Sequence, residues 1–163
     1  MTRIGLWLVG GIAGSLLFWL VQALTGGPTI TEFMGQQIVA AGGYPAAWTT
    51  LIGWAVHLGV SLTYAALVGI VAALLRWMPR MLAFWIGLAT AVIFGWTTAL
   101  VAPPAISVTI SALVGQGWHS ELFPLNTELG LPLWNHIAFF LLNWVVQWWG
   151  PGMGDGSHGR HGP

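Results

Sequence analysis

Three groups of side chains in this 163-residue chain have types and spacings that can do chemistry. His57 and His136 each stand in a long apolar run. Imidazoles on two facing helices can hold a b-type haem through both axial positions. His119, with Glu121 and Glu128 nearby in sequence, offers imidazole and carboxylate donors for a metal ion. His136, Asn143 and Gln147 fall within about 40° of one another on a helical wheel, a polar stripe along an apolar helix. Ionisable groups inside a membrane are functional suspects, and polar groups there seek protein partners. The competing reading makes all of them structural, with imidazoles and amides bonded between helices. A haem needs ligands at matched depth. His57 should lie ~13 Å inside the outer end of its helix, and His136 a turn or two shallower on its own.

Other chemistry is absent from the sequence. There is no Cys, which removes disulfides and thiolate sites. No H-E-x-x-H, serine-nucleophile, phosphate-loop or dinucleotide pattern occurs. The apolar runs carry Asp, Glu, Lys or Arg only at their ends, which argues against a carboxylate-driven pump. The chain reads as non-enzymatic.

The elements that must position these residues follow from composition. Hydrophobic residues make up 56% of the chain, charged residues 5%, and mean hydropathy is +0.79. Soluble domains are about one-quarter charged, so this chain could not keep a wetted surface. The Arg residues are few and scattered, which excludes nucleic acid as a partner. The expected fold class is all-α: an integral membrane four-helix bundle in a lipid bilayer. About 20 apolar residues cross the hydrocarbon core. Four runs qualify, at about 4–24, 48–75, 81–102 and 133–149. The Gly-rich segment 150–163 reads as a disordered cytoplasmic tail, its His158 and His161 solvated. Arg3 and the first run also fit a signal peptide, but the run is long and no A-x-A site follows, so a retained span is expected.

Charge sets orientation. Arg3, Arg76, Arg80 and Arg160 all fall on one side of a four-span chain, and Glu32, Glu121 and Glu128 on the other. The positive-inside rule then places the N- and C-termini in the cytoplasm, with a bacterial inner membrane as the expected location. Most of the 12 Trp fit interface belts, while Trp54, Trp96 and Trp144 fit packing between helices.

Two outer loops should form a cap. In the first, Thr31 reads as the N-cap of a short amphipathic helix that stops at Gly42-Gly43. In the second, Pro103-Pro104 should end the third span, and 106–114 should form a separate re-entrant or interfacial helix.

Small residues recur at every fourth position in two spans. The second span carries Ser61, Ala65, Gly69 and Ala73; the third carries Ala83, Gly87, Ala91 and Gly95. Such rows let helix backbones approach closely. With the turn centred on Met78, the rows pair in register as an antiparallel couple: Ala73 with Ala83, Gly69 with Gly87, Ala65 with Ala91, Ser61 with Gly95.

From His57 to Trp149 the chain resembles the YagU-like inner-membrane proteins. The matching features are His57-Leu58-Gly59-Val60-Ser61, Pro103-Pro104, a Glu-bearing outer loop, and a last helix that opens with His136 and is rich in aromatic residues. The resemblance implies a small multi-span membrane protein and no defined activity. On sequence alone the leading function is an accessory or structural subunit of a larger membrane complex, contacting other membrane subunits or itself. The alternatives are a haem b- or metal-binding protein, and an oligomeric small-molecule channel or carrier lined by the fourth span.

Overall fold

The computed structural model describes residues 2–117 and 122–150. Within them the chain forms helices α1 (Arg3–Leu24), α2 (Ile30–Gly42), α3 (Thr49–Leu75), α4 (Arg80–Leu113) and α5 (Leu131–Trp149), with a single 3₁₀ turn, Ala46–Trp48, leading into α3. Among the described residues three stretches are long and apolar enough to cross a membrane: Arg3–Leu24, Ala46–Leu75 and Arg80–Leu113. The apolar core gathers Phe18, Val68, Ala91, Phe139, Phe140 and Trp144.

The helix ends follow local chemistry. Thr2 caps α1, its hydroxyl accepting from the Gly5 amide at 3.2 Å. The cap of α2 is Thr29, not Thr31. Its hydroxyl accepts from the Glu32 amide, and the Glu32 carboxylate accepts from the Thr29 amide at 2.9 Å, a reciprocal box. Thr31 instead lies buried, its carbonyl against Gly53 of α3. Gly43, at φ 64°, closes α2 in the left-handed conformation that glycine adopts at little steric cost.

Two expectations are corrected here. The Pro103-Pro104 pair does not end its helix, because α4 runs on unbroken to Leu113. At ~1.5 Å per residue α4 is ~51 Å long and outreaches a ~30 Å hydrocarbon core. Its far end packs on α2, with Ile110 against Met34 and Ile38. The cap is therefore largely helical rather than two loops.

The small-residue rows are also redirected. Their members are buried except Ala73, which is half-buried, but α3 and α4 touch each other little. Gly69 of α3 receives the Trp7 indole of α1, and a Cβ on Gly11 of α1 would press on Ala65. Gly87 of α4 receives the Trp144 indole of α5, and Gly95 lies against the Ile137 backbone. The physical reason is that α5 occupies the space beside α4 and takes up its row, while α1 takes up that of α3. Among the Trp residues, Trp144 against α4 and the half-buried Trp54 against Trp19 of α1 pack between helices as expected, whereas Trp96 faces outward at 54% exposure.

α5 runs antiparallel to α1: Asn135 donates to the Phe18 carbonyl at 2.9 Å, and Gly150 lies against Leu6. Arg76 stacks on Trp77 and Arg80 on Trp148, at 4.6 and 5.5 Å from the ring centres. The start of α1, the α3–α4 turn and the end of α5 thus share one end of the bundle.

Two glycines test this packing. A Cβ at Gly95 would stand 2.6 Å from the Ile137 Cα, whereas one at Gly59 meets nothing within 4 Å. Gly95→Ala should destabilise by about 1–3 kcal/mol through overpacking, while Gly59→Ala should be neutral or slightly stabilising. Thermal unfolding of both variants in one detergent checks this. Equal midpoints would place α5 elsewhere.

The Thr29–Glu32 box has a pH signature. Hydrogen bonds from the Thr29 backbone and then its side chain hold the Glu32 carboxyl below its ordinary value of 4.5. A depressed pKa adds stability above the unfolded-state value, and that stability is lost as pH falls through the folded-state value. The stability gap between the wild type and Glu32→Gln should therefore be widest near neutrality and close in acid. Thermal unfolding across a pH series reads it.

Candidate functional site

His57 and His136 line one cavity of about 1120 Å³, bounded by α3, α4 and α5. α5 sits deep enough to bring both rings onto Phe18. Phe18 stands 5.6 Å from the His57 ring centre and 4.9 Å from that of His136, edge-on to the latter. The cavity exists because α5 holds α3 and α4 apart. Its wall is mostly apolar, with Val56, Val60, Ile106 and Phe139 among the contributors. Exposed Gly59, Val60 and Thr63 of α3 and exposed Ala105 of α4 border it, so it opens sideways between those helices.

The two imidazoles are held differently. The distal nitrogen of His57, Nε2, donates to the Ser15 carbonyl of α1 at 3.2 Å. The proximal nitrogen of His136, Nδ1, donates to the Pro132 carbonyl one turn back at 2.7 Å. In the uncharged ring the other nitrogen is then an acceptor. For His136 that is Nε2, the atom farthest from its own helix. For His57 it is Nδ1, turned back toward α3. His57 is thus tied into the bundle, while the outward nitrogen of His136 has no partner among the described residues.

A roof closes the far end. Pro124, Leu125, Asn126, Thr127 and Glu128 line it. Pro104 has no N–H, so the Leu100 carbonyl one turn earlier loses its usual helical donor. The Asn126 amide replaces that donor at 3.0 Å, and the Asn126 side chain accepts from the Glu128 amide at 3.1 Å. The proline pair therefore fixes the roof to α4. Sequence reasoning singled out the prolines but missed Asn126. An acceptor freed inside an apolar run was the available signal.

The remaining expected residues are placed as follows. Glu128 is exposed at the roof, whereas His119 and Glu121 lie outside the described residues, as do His158 and His161. Among the described residues no three His, Cys, Asp or Glu side chains gather as metal donors. Asn143 and Gln147 are 0% and 5% exposed. Asn143 fits against Gly10 and Gly14 of α1, so that part of the stripe points into the bundle. His136 turns toward the cavity instead, and Asn135, which sequence reasoning passed over, bonds α1 in its place.

Comparison of the chain with protein-family models, with curated proteins and with solved structures gives no match.

The Pro104–Asn126 link is testable. Pro104→Ala returns a helical donor to the Leu100 carbonyl, and Asn126 loses its acceptor. Amide exchange across Leu122–Leu129 should quicken about tenfold, the worth of one hydrogen bond, while α4 stays protected. Unchanged exchange at Asn126, read by hydrogen–deuterium mass spectrometry, would show the roof is held otherwise.

Proposed function

We propose that this chain is a four-span membrane protein that binds an apolar molecule drawn from the bilayer. The observation carrying this is the cavity: largely apolar, about 1120 Å³, and open between two helices that are themselves apolar enough to lie in lipid. Ligand sites commonly hold ~300–1,000 Å³, so this space suits a substantial ligand. α5 supplies the fourth span. It is ~28 Å long, about the hydrocarbon thickness, and its Asn135, Asn143 and Gln147 are buried within the chain. The grouping of Arg3, Arg76 and Arg80 at one end supports cytoplasmic termini in a bacterial inner membrane.

The accessory-subunit and channel readings both drew on the polar face of α5. With Asn143 covered by α1 and Gln147 buried, that face offers little to a partner or a pore, and the cavity is the stronger feature. Binding a resident molecule makes the protein a carrier, sensor or chaperone for it rather than an enzyme.

The protein extracted from its membrane should carry a stoichiometric apolar molecule into organic solvent. Ile106→Trp puts an indole into the cavity wall and should deplete that molecule more than tenfold, with helical content unchanged. Extracts matching bulk lipid, identical in variant and wild type, would overturn the reading. Mass spectrometry of the extracts makes the comparison.

Haem b is a second reading, favoured by two imidazoles in one cavity. Bis-imidazole ligation would require His57 Nε2 to leave the Ser15 carbonyl and Phe18 to move off both rings. A dithionite-reduced spectrum separates the readings: a sharp α band supports haem, and the resident-lipid reading expects none.

A further inference from the structure

We infer that the cavity selects a molecule carrying a hydroxylated ring on an apolar tail, the chemistry of a lipid-soluble hydroquinone or phenol, and that His136 is the residue that recognises the hydroxyl. The inference rests on the resident-lipid reading above and names its ligand class. It begins with the state of the polar atoms that line the space. His57 has spent its distal nitrogen on Ser15. Gln22 has spent its side-chain oxygen on the Ile30 amide at 2.8 Å. Asn126 has spent both its amide on Leu100 and its side-chain oxygen on Glu128. Among the described lining residues His136 Nε2 is the ring nitrogen left, and the bond from Nδ1 to Pro132 makes it an acceptor, whereas the side-chain nitrogens of Gln22 and Asn126 can only donate.

An acceptor asks for a donor. A ketone, ether or ester headgroup offers His136 nothing, whereas a hydroxyl donates to it. A cation is disfavoured, because Glu128 is the one acid among the described lining residues and it stands exposed on the roof. A phosphate has no Arg or Lys among the described lining residues to meet it. The headgroup is therefore uncharged. The walls beside His136 specify a ring: Phe18 meets the imidazole edge-on, and Phe139 and Tyr64 line the same space, 6.3 Å apart at their ring centres. Aromatic side chains pack flat rings in offset or edge-to-face geometry. The tail leaves between α3 and α4, past Val60 and Ala105, where the cavity opens.

The test uses the full chain in lipid nanodiscs and two probes of one tail: decylhydroquinone, kept reduced, and its dimethyl ether, which has the same ring and no donor. Binding is read by quenching of tryptophan emission, since Trp54 packs against His57 beside the cavity. The hydroquinone should bind the wild type about tenfold more tightly than the ether, the worth of one hydrogen bond. His136→Phe should lower hydroquinone affinity to that of the ether and leave the ether unchanged. His136→Gln, which keeps an acceptor, should restore part of the difference. Equal binding of the two probes by the wild type overturns the hydroxyl inference and leaves the cavity reading standing. Binding of neither probe overturns both. The wild-type comparison needs no variant, so a His136 variant that fails to fold does not blunt the test.

Discussion

The fold depends on how closely α5 approaches its neighbours. Helices in lipid gain nothing by hiding apolar surface from tails that are equally apolar, so association falls to close packing and a few hydrogen bonds. α5 obtains that closeness from glycine on both sides. Gly87 accepts the Trp144 indole, Gly95 lies against the Ile137 backbone, and Gly10 and Gly14 lie under Asn143 and Phe139. One helix thus seats against α1 and α4, and Tyr64 of α3 packs on its Phe139 and Phe140. The same seating keeps α4 off α3, and the cavity is the space that results. Packing and site are one arrangement seen from two faces of α5.

The small-residue rows show what the sequence could and could not carry. Their burial was legible, since a repeating notch records that something comes near. The identity of the neighbour was not, since a notch for a helix backbone and a notch for an indole look alike in sequence. Trp7 and Trp144 were the complementary bumps, and their spacing against Gly69 and Gly87 appears only once the bundle closes. The relative depth of the histidines was hidden for a related reason. Depth was reckoned from where each apolar run begins, but α5 is positioned by Asn135 on the Phe18 carbonyl, which brings His136 to the same phenyl ring as His57. A proline pair reads as a stop because proline removes a donor. Helix α4 continues because a donor arrives from Asn126, far along the chain, and no local pattern reports that.

Buried polar groups are spread over the bundle, but the unpaired ones fall on α5 and α1. Ser15 Oγ, Asn135 Oδ1, Asn143 Oδ1, Trp144 Nε1 and Gln147 Nε2 are buried without a partner among the described residues. Each is costly where no water competes, so they are poor sources of stability. They are better sources of register. A rotation of α5 would turn Asn143 and Gln147 toward lipid and break the Asn135 bond to α1. The half-satisfied stripe thereby favours one rotation of a helix whose apolar residues would tolerate several. Fixing that rotation is also what aims His136 at the cavity.

The sideways opening between α3 and α4 sets the terms on which anything occupies this protein. A ligand arriving from water would gain from leaving it, but one arriving from the bilayer exchanges places with a phospholipid chain, and the apolar contributions nearly cancel. Occupancy is then governed by the mole fraction of the ligand among its lipid competitors, not by its concentration in the aqueous phase. Small differences in hydrogen bonding become decisive in such an exchange, because little else distinguishes the winner from the solvent. It also follows that membrane composition itself, by diluting or enriching the competitor pool, regulates the protein without touching it.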